Sequence, residues 1–340
     1  MENIELSNLF KGKIKNTNTK YVNNVGNTEL STLFEEKIEP IKTKSEFDQL
    51  LKEFKFLNSL PKEKRILAYD KISFLKKRLS LGISINDFKL IDKIIECITT
   101  FLKKYNFDEK LFNSFLKNTT FSITSLSEMF GSKGIGQSSD KKIFIDISIV
   151  EFDENGYFKS FNSENLAFIT HIIFHELFHR ISAYRDDKPP VTWAQDTALS
   201  EGFTDFFAEG LSGFNGPQKS KNYQFSKDVC NIFTLLIGME NALDDYLNNL
   251  LEYPILKKLF EKYSLDFNKF VKHFNSLLER RYRKEDVDKI IEDENTLLIF
   301  LRDNLIIPYI ENNPSKSNEI IDKFNFLFEN RNIKITTKKR

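Results

Sequence analysis

Three of the chain's four histidines fall one helical turn apart in HIIFHELFHRI, at His171, His175 and His179. Residues four apart on an α-helix project from one face with ~6 Å of rise between them, close enough for two imidazoles to meet one ion. His175 and His179 frame a glutamate in HELFH. This is the H-E-x-x-H pattern, in which two histidines hold zinc and the glutamate, here Glu176, takes a proton from the zinc-activated water. His171 is a poorer partner. Along a straight helix its Cα lies roughly 12 Å from that of His179, whereas each ligand nitrogen must come within about 2 Å of one zinc. His171 therefore reads as a hydrogen-bonding group of the core, or a support behind the ligands, and not as the third ligand.

A catalytic zinc takes three protein ligands and keeps a fourth position open. The extended pattern HExxHxxGxxH would need Gly at 182 and His at 185; the chain has Ser182 and Arg185, which rejects that class. The next helical stretch, ALSEGFTDFF, carries Glu201 and Asp205 four residues apart. Packed antiparallel to the histidine helix, it would bring Glu201 to the zinc and set Asp205 one turn further along. There a carboxylate can accept the remaining N–H of a ligating imidazole and fix its tautomer. A purely structural zinc is usually closed by four ligands rich in cysteine. The two cysteines, Cys97 and Cys230, lie outside the motif and form no CxxC pair, so both read as buried free thiols.

HELFH followed after a short loop by E-G-F-T-D resembles the gluzincins, the thermolysin-like group of zinc metallopeptidases, mainly over residues 165 to 210. The resemblance implies a zincin-like core, Zn2+ held by His175, His179 and Glu201, Glu176 as general base and Asp205 as the orienting carboxylate. The implied activity is zinc-dependent endopeptidase cleavage of a polypeptide. The family also sets a His or Tyr against the oxyanion; His273 in KFVKHFNSL and Tyr223 in KNYQFS are the two candidates, and Trp193 is a candidate wall of the cleft. An edge strand in that family pairs with the peptide as an added strand, a role for which KKIFIDISIV ahead of the helix is the candidate. The thermolysin type has Asn before the glutamate and Ser before the aspartate, where this chain has Ser200 and Thr204, so no narrower family is assigned.

The elements that must position these groups follow from periodicity. FDQLLKEFKFL, ILAYDKISFLKKRL and FKLIDKIIECITTFLKKY show helical three-to-four spacing, and a short fourth helix is expected at 108–117. TTFSITSLS and KKIFIDISIVEF are rich in β-branched and aromatic residues and predict two strands of one small sheet, flanking the loop GSKGIGQSSDK. From Ser163, the expected N-cap, to Ala183 the chain is nearly continuous in apolar residues and predicts a helix buried on almost every side. The paired prolines of RDDKPPVTWAQD mark a loop, and residues 224–330 read as helical throughout, with turns near Pro254, Ser264 and Pro314. The expected fold is α+β and predominantly helical: an N-terminal segment 1–40, a helical region 41–118, a zincin-like catalytic core 119–212 with a small sheet on the HExxH helix, and a helical C-terminal half 213–340.

Lys plus Arg number 50 and Asp plus Glu 49, so net charge gives no reason to expect nucleic acid or a membrane as partner. No secretory signal or long apolar stretch is present, which predicts a cytoplasmic protein, with export by a signal-independent route left open. IELSNLFKGKI at 4–14 and TELSTLFEEKI at 28–38 agree at seven of eleven positions. Their Leu and Phe anchors suit either packing on the body or docking to a protein partner. The second functional reading is accordingly an interaction module built on this repeat, with zinc only structural or catalysis lost.

Overall fold

The computed structural model describes residues 39–85, 89–105, 107, 119–130, 136–139, 142–161, 166–183, 197–214, 223–248, 252–331 and 333–336. Both repeat copies, the expected helix at 108–117, Ser163 and the proline loop with Trp193 lie outside these residues. The chain divides into two units, Met1–Glu39 and Pro40–Arg340, and the architecture below is that of the second.

It is an α+β fold, predominantly helical, whose described strands form one four-stranded sheet and one two-stranded hairpin. Helix α1 (Lys44–Ser59) starts where the Thr43 side chain accepts the Glu46 amide, and it packs against α3. The segment expected as one helix, ILAYDKISFLKKRL, is two: α2 (Lys62–Leu67) and α3 (Tyr69–Leu79), hinged at Ala68 with φ −98° and ψ 8°. Ala68, Leu75 and Leu79 are buried, whereas α2 buries none of its residues, so only the second half of the periodic stretch finds a surface to pack on. Helix α4 (Lys89–Lys104) buries Ile91, Ile94, Ile98 and Leu102, the stripe its periodicity predicts.

The sheet has the order β1-β2-β4-β3, from β1 (Ile83–Ser84), β2 (Thr120–Thr124), β3 (Gly136–Ser139) and β4 (Lys142–Asp146). The two expected strands are β2 and β4, which run parallel in the register Phe121↔Ile143 and Ile123↔Ile145. Burial of Phe121, Ile123, Ile143 and Ile145 explains why these stretches read so strongly as strand. The parallel link passes through the short helix α5 (Leu126–Phe130), whose Leu126 amide donates to Asp146 Oδ2. Two expectations fail here. GQSS, read as loop, is β3, antiparallel to β4. KKIFID is not an edge strand, because β4 is hydrogen-bonded on both sides, and among the described residues β3 takes the edge instead. After a 3-10 turn at Ile147–Ile149 the chain forms a separate hairpin of β5 (Val150–Phe152) and β6 (Phe158–Phe161).

The histidine segment is helix α6 (Leu166–Ala183), and the E-G-F-T-D segment is α7 (Ala198–Ser212). Then follow α8 (Gln224–Ile237), α9 (Met239–Asn248), α10 (Pro254–Lys262), α11 (Phe267–Tyr282), α12 (Val287–Leu301), a π turn, α13 (Ile307–Asn312) and α14 (Ser317–Leu327). Gly238, at φ +89°, ends α8, so the long pattern from Lys221 to Leu251 is broken where only glycine readily takes that conformation. Sheet, α6, α7 and the C-terminal helices share one continuous hydrophobic core. No described helix is long and apolar enough to cross a membrane.

Candidate metal centre

Helix α6 lies between the sheet and α7, and its side chains are sorted by that sandwich. Ile169, Ile173, Phe174, Leu177, Phe178 and Ile181 fill the core, which leaves the histidines to the face that meets α7. Strand β3 crosses the same helix so closely that a Cβ on Gly136 would stand 2.4 Å from Ile172 Cγ2 and 3.0 Å from Glu176 Oε1. Glycine is what permits this approach, and Gly136 forms one wall beside the Glu176 carboxylate. Helix α7 is anchored at its start: the Thr197 hydroxyl accepts the Ser200 amide, and Asn275 Oδ1 on α11 accepts the Ala198 amide. Its back is pressed on α8 at Gly202, where a Cβ would meet Ser226 O at 2.5 Å and Cys230 Sγ at 2.6 Å. Glycine in E-G-F-T-D is thus a packing requirement that sets the depth of Glu201.

The pairings show α6 and α7 antiparallel, as expected. His175 Nε2 and His179 Nε2 are 3.0 Å apart, and each lies 3.4 Å from Glu201 Oε2. The circle through three atoms so spaced has a radius of about 1.9 Å, just under the 2.0–2.2 Å of zinc–nitrogen and zinc–carboxylate bonds. An ion slightly off their plane therefore meets all three at ligand distance. Glu201 Oε2 is buried with no hydrogen-bond partner, which is costly unless a cation takes that lone pair. The donor set, two imidazoles and one carboxylate, suits a divalent transition metal such as zinc with a coordination position left open. The imidazoles retain 12% and 21% side-chain exposure, so the cluster opens to solvent on the histidine side and is closed behind Glu201.

The groups behind these three residues are themselves held by specific contacts. Asp205 Oδ1 lies 3.5 Å from His175 Nδ1 and 2.8 Å from His171 Nε2. His171 is thus held away from the three converging atoms and bears on the carboxylate that faces His175, while its other nitrogen lies 3.4 Å from Ser212 Oγ. His171, His175 and Asp205 form a second group of close potential ligand atoms, sharing His175 with the first. On the other flank Thr204 Oγ1 is 3.4 Å from His179 Nδ1 and hydrogen-bonds the buried Tyr246 hydroxyl. Each imidazole therefore has its Nδ1 against an oxygen acceptor, which directs Nε2 toward the cluster.

Without a cation the charges are compensated by protons. Burial works against the imidazolium of His175, but the adjacent Asp205 and Glu201 carboxylates and the nearby Glu176 charge outweigh it and raise its pKa from 6.5 to about 10. Burial likewise disfavours ionised Glu201, and the His179 and His175 charges outweigh that, drawing its pKa from 4.5 down to about 2. Glu176 is buried on α6 beside Gly136.

Of the two oxyanion candidates, one is at the site. The Tyr223 ring stacks on His175 at 5.8 Å between centroids, and its pKa is driven well above the ordinary phenol value by burial and by the Glu201 charge. Tyr282, on α11, donates to the Tyr223 oxygen at 2.8 Å, which leaves the Tyr223 proton free to be given elsewhere. His273 is exposed on α11 and joins none of the described contacts of the cluster. Sequence reasoning missed Tyr282, Tyr246 and Gly136. Thr204 alone carried a signal, since it stands three residues after Glu201 and so shares its helix face. Cys230 is buried and free beside Leu199 and Gly202, as a structural thiol should be; Cys97, expected to be buried, is only partly so, because it lies off the buried stripe of α4.

Compared with protein-family models, with curated proteins and with solved structures, the chain matches none.

Proposed function

We propose that the protein is a zinc-dependent endopeptidase of the gluzincin type, with a zincin-like core. The observation that carries this reading is the convergence of His175 Nε2, His179 Nε2 and Glu201 Oε2 within 3.0–3.4 Å of one another, around a buried carboxylate oxygen that has no other partner. These three residues would hold the zinc. When bound, zinc supplies the Lewis acidity that brings the pKa of a water down toward ~7 and polarises a carbonyl. Glu176, next along α6 from His175 and not a member of the converging set, takes the proton of the attacking water and returns it to the departing amine. Asp205 and Thr204 keep His175 and His179 in the tautomer that presents Nε2. Tyr223, protonated at all ordinary pH and already accepting from Tyr282, gives its proton as a hydrogen bond to the oxygen on which negative charge develops. Strand β3 has no strand beyond it among the described residues and crosses α6 at Glu176, so an extended peptide added to that edge would pass the general base.

The test is Glu176→Gln, which keeps the shape and removes the base. Zinc content by elemental analysis should stay near one per chain. Cleavage of a mixed peptide library should fall by ~10²- to 10⁴-fold. A zinc-loaded wild type that cleaves no peptide, or a variant that cleaves as well as wild type, would refute the hydrolase reading and favour the interaction module.

A further inference from the structure

Charge balance over the whole chain hides a local excess. Between residues 60 and 80 seven Lys and Arg stand against two Asp and Glu, in a protein whose net charge is only +1. Lys71 pairs with Glu53 and Arg78 with Glu46, both within the body. Lys62, Lys64, Arg65, Lys76 and Lys77 are exposed and join none of the described ion pairs. The same stretch carries the two most exposed large apolar side chains among the described residues, Leu67 at 80% and Tyr69 at 69%, together with Ile66 at 65%, and Phe56 at the end of α1 and Phe74 on α3 are also exposed.

Helix α2 makes this arrangement informative. A six-residue helix is far too short to hold itself together in water, where ~12–15 residues are marginal, and it ordinarily persists by burying a face. This one buries nothing. Its foundation is the small separate cluster of Leu57, Ala68 and Leu75 beneath it, so its own aliphatic pair is left pointing outward.

We propose that α2 and the outer face of α3 form a docking surface for an anionic lipid membrane. Ile66, Leu67 and Tyr69 enter the boundary between headgroups and acyl chains, and Lys62, Lys64, Arg65, Lys76 and Lys77 meet the headgroup phosphates and carboxylates. Charge complementarity favours this occupant. Protein–protein interfaces are depleted in lysine, whereas apolar side chains ringed by Lys and Arg are what an interfacial helix presents to anionic lipid. A nucleic acid would use the cations but gives no burial to Ile66 and Leu67. The surface lies on helices remote in sequence from HELFH, and the assignment stands whether or not the chain is a peptidase.

The experiment is cosedimentation of the full chain with vesicles of phosphatidylcholine alone or mixed with phosphatidylserine, at low and high salt. The chain should bind the mixed vesicles, bind phosphatidylcholine poorly, and be released by salt. K62Q/K64Q/R65Q should weaken binding roughly 100-fold, and I66S/L67S at least tenfold. Both variants should melt like wild type, because α2 buries no side chain. Absence of binding to the mixed vesicles, or wild-type binding by both variants, would overturn the proposal. Binding lost in the lysine variant but kept in I66S/L67S would also overturn it and indicate a bare polyanion site. Self-association without vesicles that I66S/L67S abolishes would assign the face to a second copy of the chain.

Discussion

Zinc should bind this protein in competition with a proton on His175, and the competition can be given a size. In the metal-free site the His175 pKa stands at about 10, because the Asp205 and Glu201 carboxylates outweigh the effect of burial. At pH 7 such a group is neutral in about one molecule per thousand, and only the neutral imidazole can be a ligand. Apparent zinc affinity should therefore rise about tenfold per pH unit, or roughly 100-fold from pH 6 to pH 8. Competition against a chromophoric chelator, corrected for the chelator's own protonation, measures this directly. The metal-free protein should show the opposite trend. A folded pKa raised above 6.5 gives stability that is complete below pH 6.5 and lost as pH rises toward about 10. The depressed pKa of Glu201 gives stability present above pH 4.5 and lost as pH falls toward about 2. For this pair the stable window of the metal-free protein is pH 4.5–6.5, so it should melt lower at pH 9 than at pH 6. An apparent affinity constant within threefold from pH 6 to 8, with melting equally flat, would refute the assigned charge state and with it the role given to Asp205.

Asp205→Ala should weaken zinc binding by roughly 10- to 100-fold, and His171→Asn should weaken it less, since His171 bears on His175 through its hydrogen bond to Asp205; chelator titration of both and of the double variant checks this, the double being no worse than Asp205→Ala. Tyr223→Phe should leave zinc affinity unchanged while kcat falls on the order of 100-fold or more, read from steady-state cleavage beside elemental analysis. Gly202→Ala should destabilise the fold by roughly 1–3 kcal/mol, because its Cβ would press on the Ser226 carbonyl and the Cys230 thiol. Denaturant melts check the loss, and a fall in zinc affinity in the same variant would show that this contact sets the depth of Glu201.

What could be read without the structure is what depends on near neighbours in the chain. His175 and His179 share a helix face through the helical repeat alone, and Glu201 and Asp205 do so for the same reason. The exclusion of His171 from the converging atoms rested on the same rise per residue. Only packing decides the distance between the two helices, and with it whether Glu201 Oε2 arrives 3.4 Å from both imidazoles. That distance depends on Gly202 meeting α8 and on Asn275 capping α7 from a helix about 75 residues further along the chain. Strand β3 went unread because GQSS has no apolar alternation; its partner β4 supplies the hydrogen bonds that make it a strand. The pairing of Tyr223 with Tyr282 and of Thr204 with Tyr246 joins residues 59 and 42 positions apart, and no local periodicity encodes such a contact. The apolar stripe of ILAYDKISFLKKRL announced one amphipathic helix, but the body packs against Ala68, Leu75, Leu79 and in part Ile72, and leaves Ile66 and Leu67 exposed. A hydrophobic pattern states which side chains lose little by burial, and the tertiary structure decides which of them have something to be buried against.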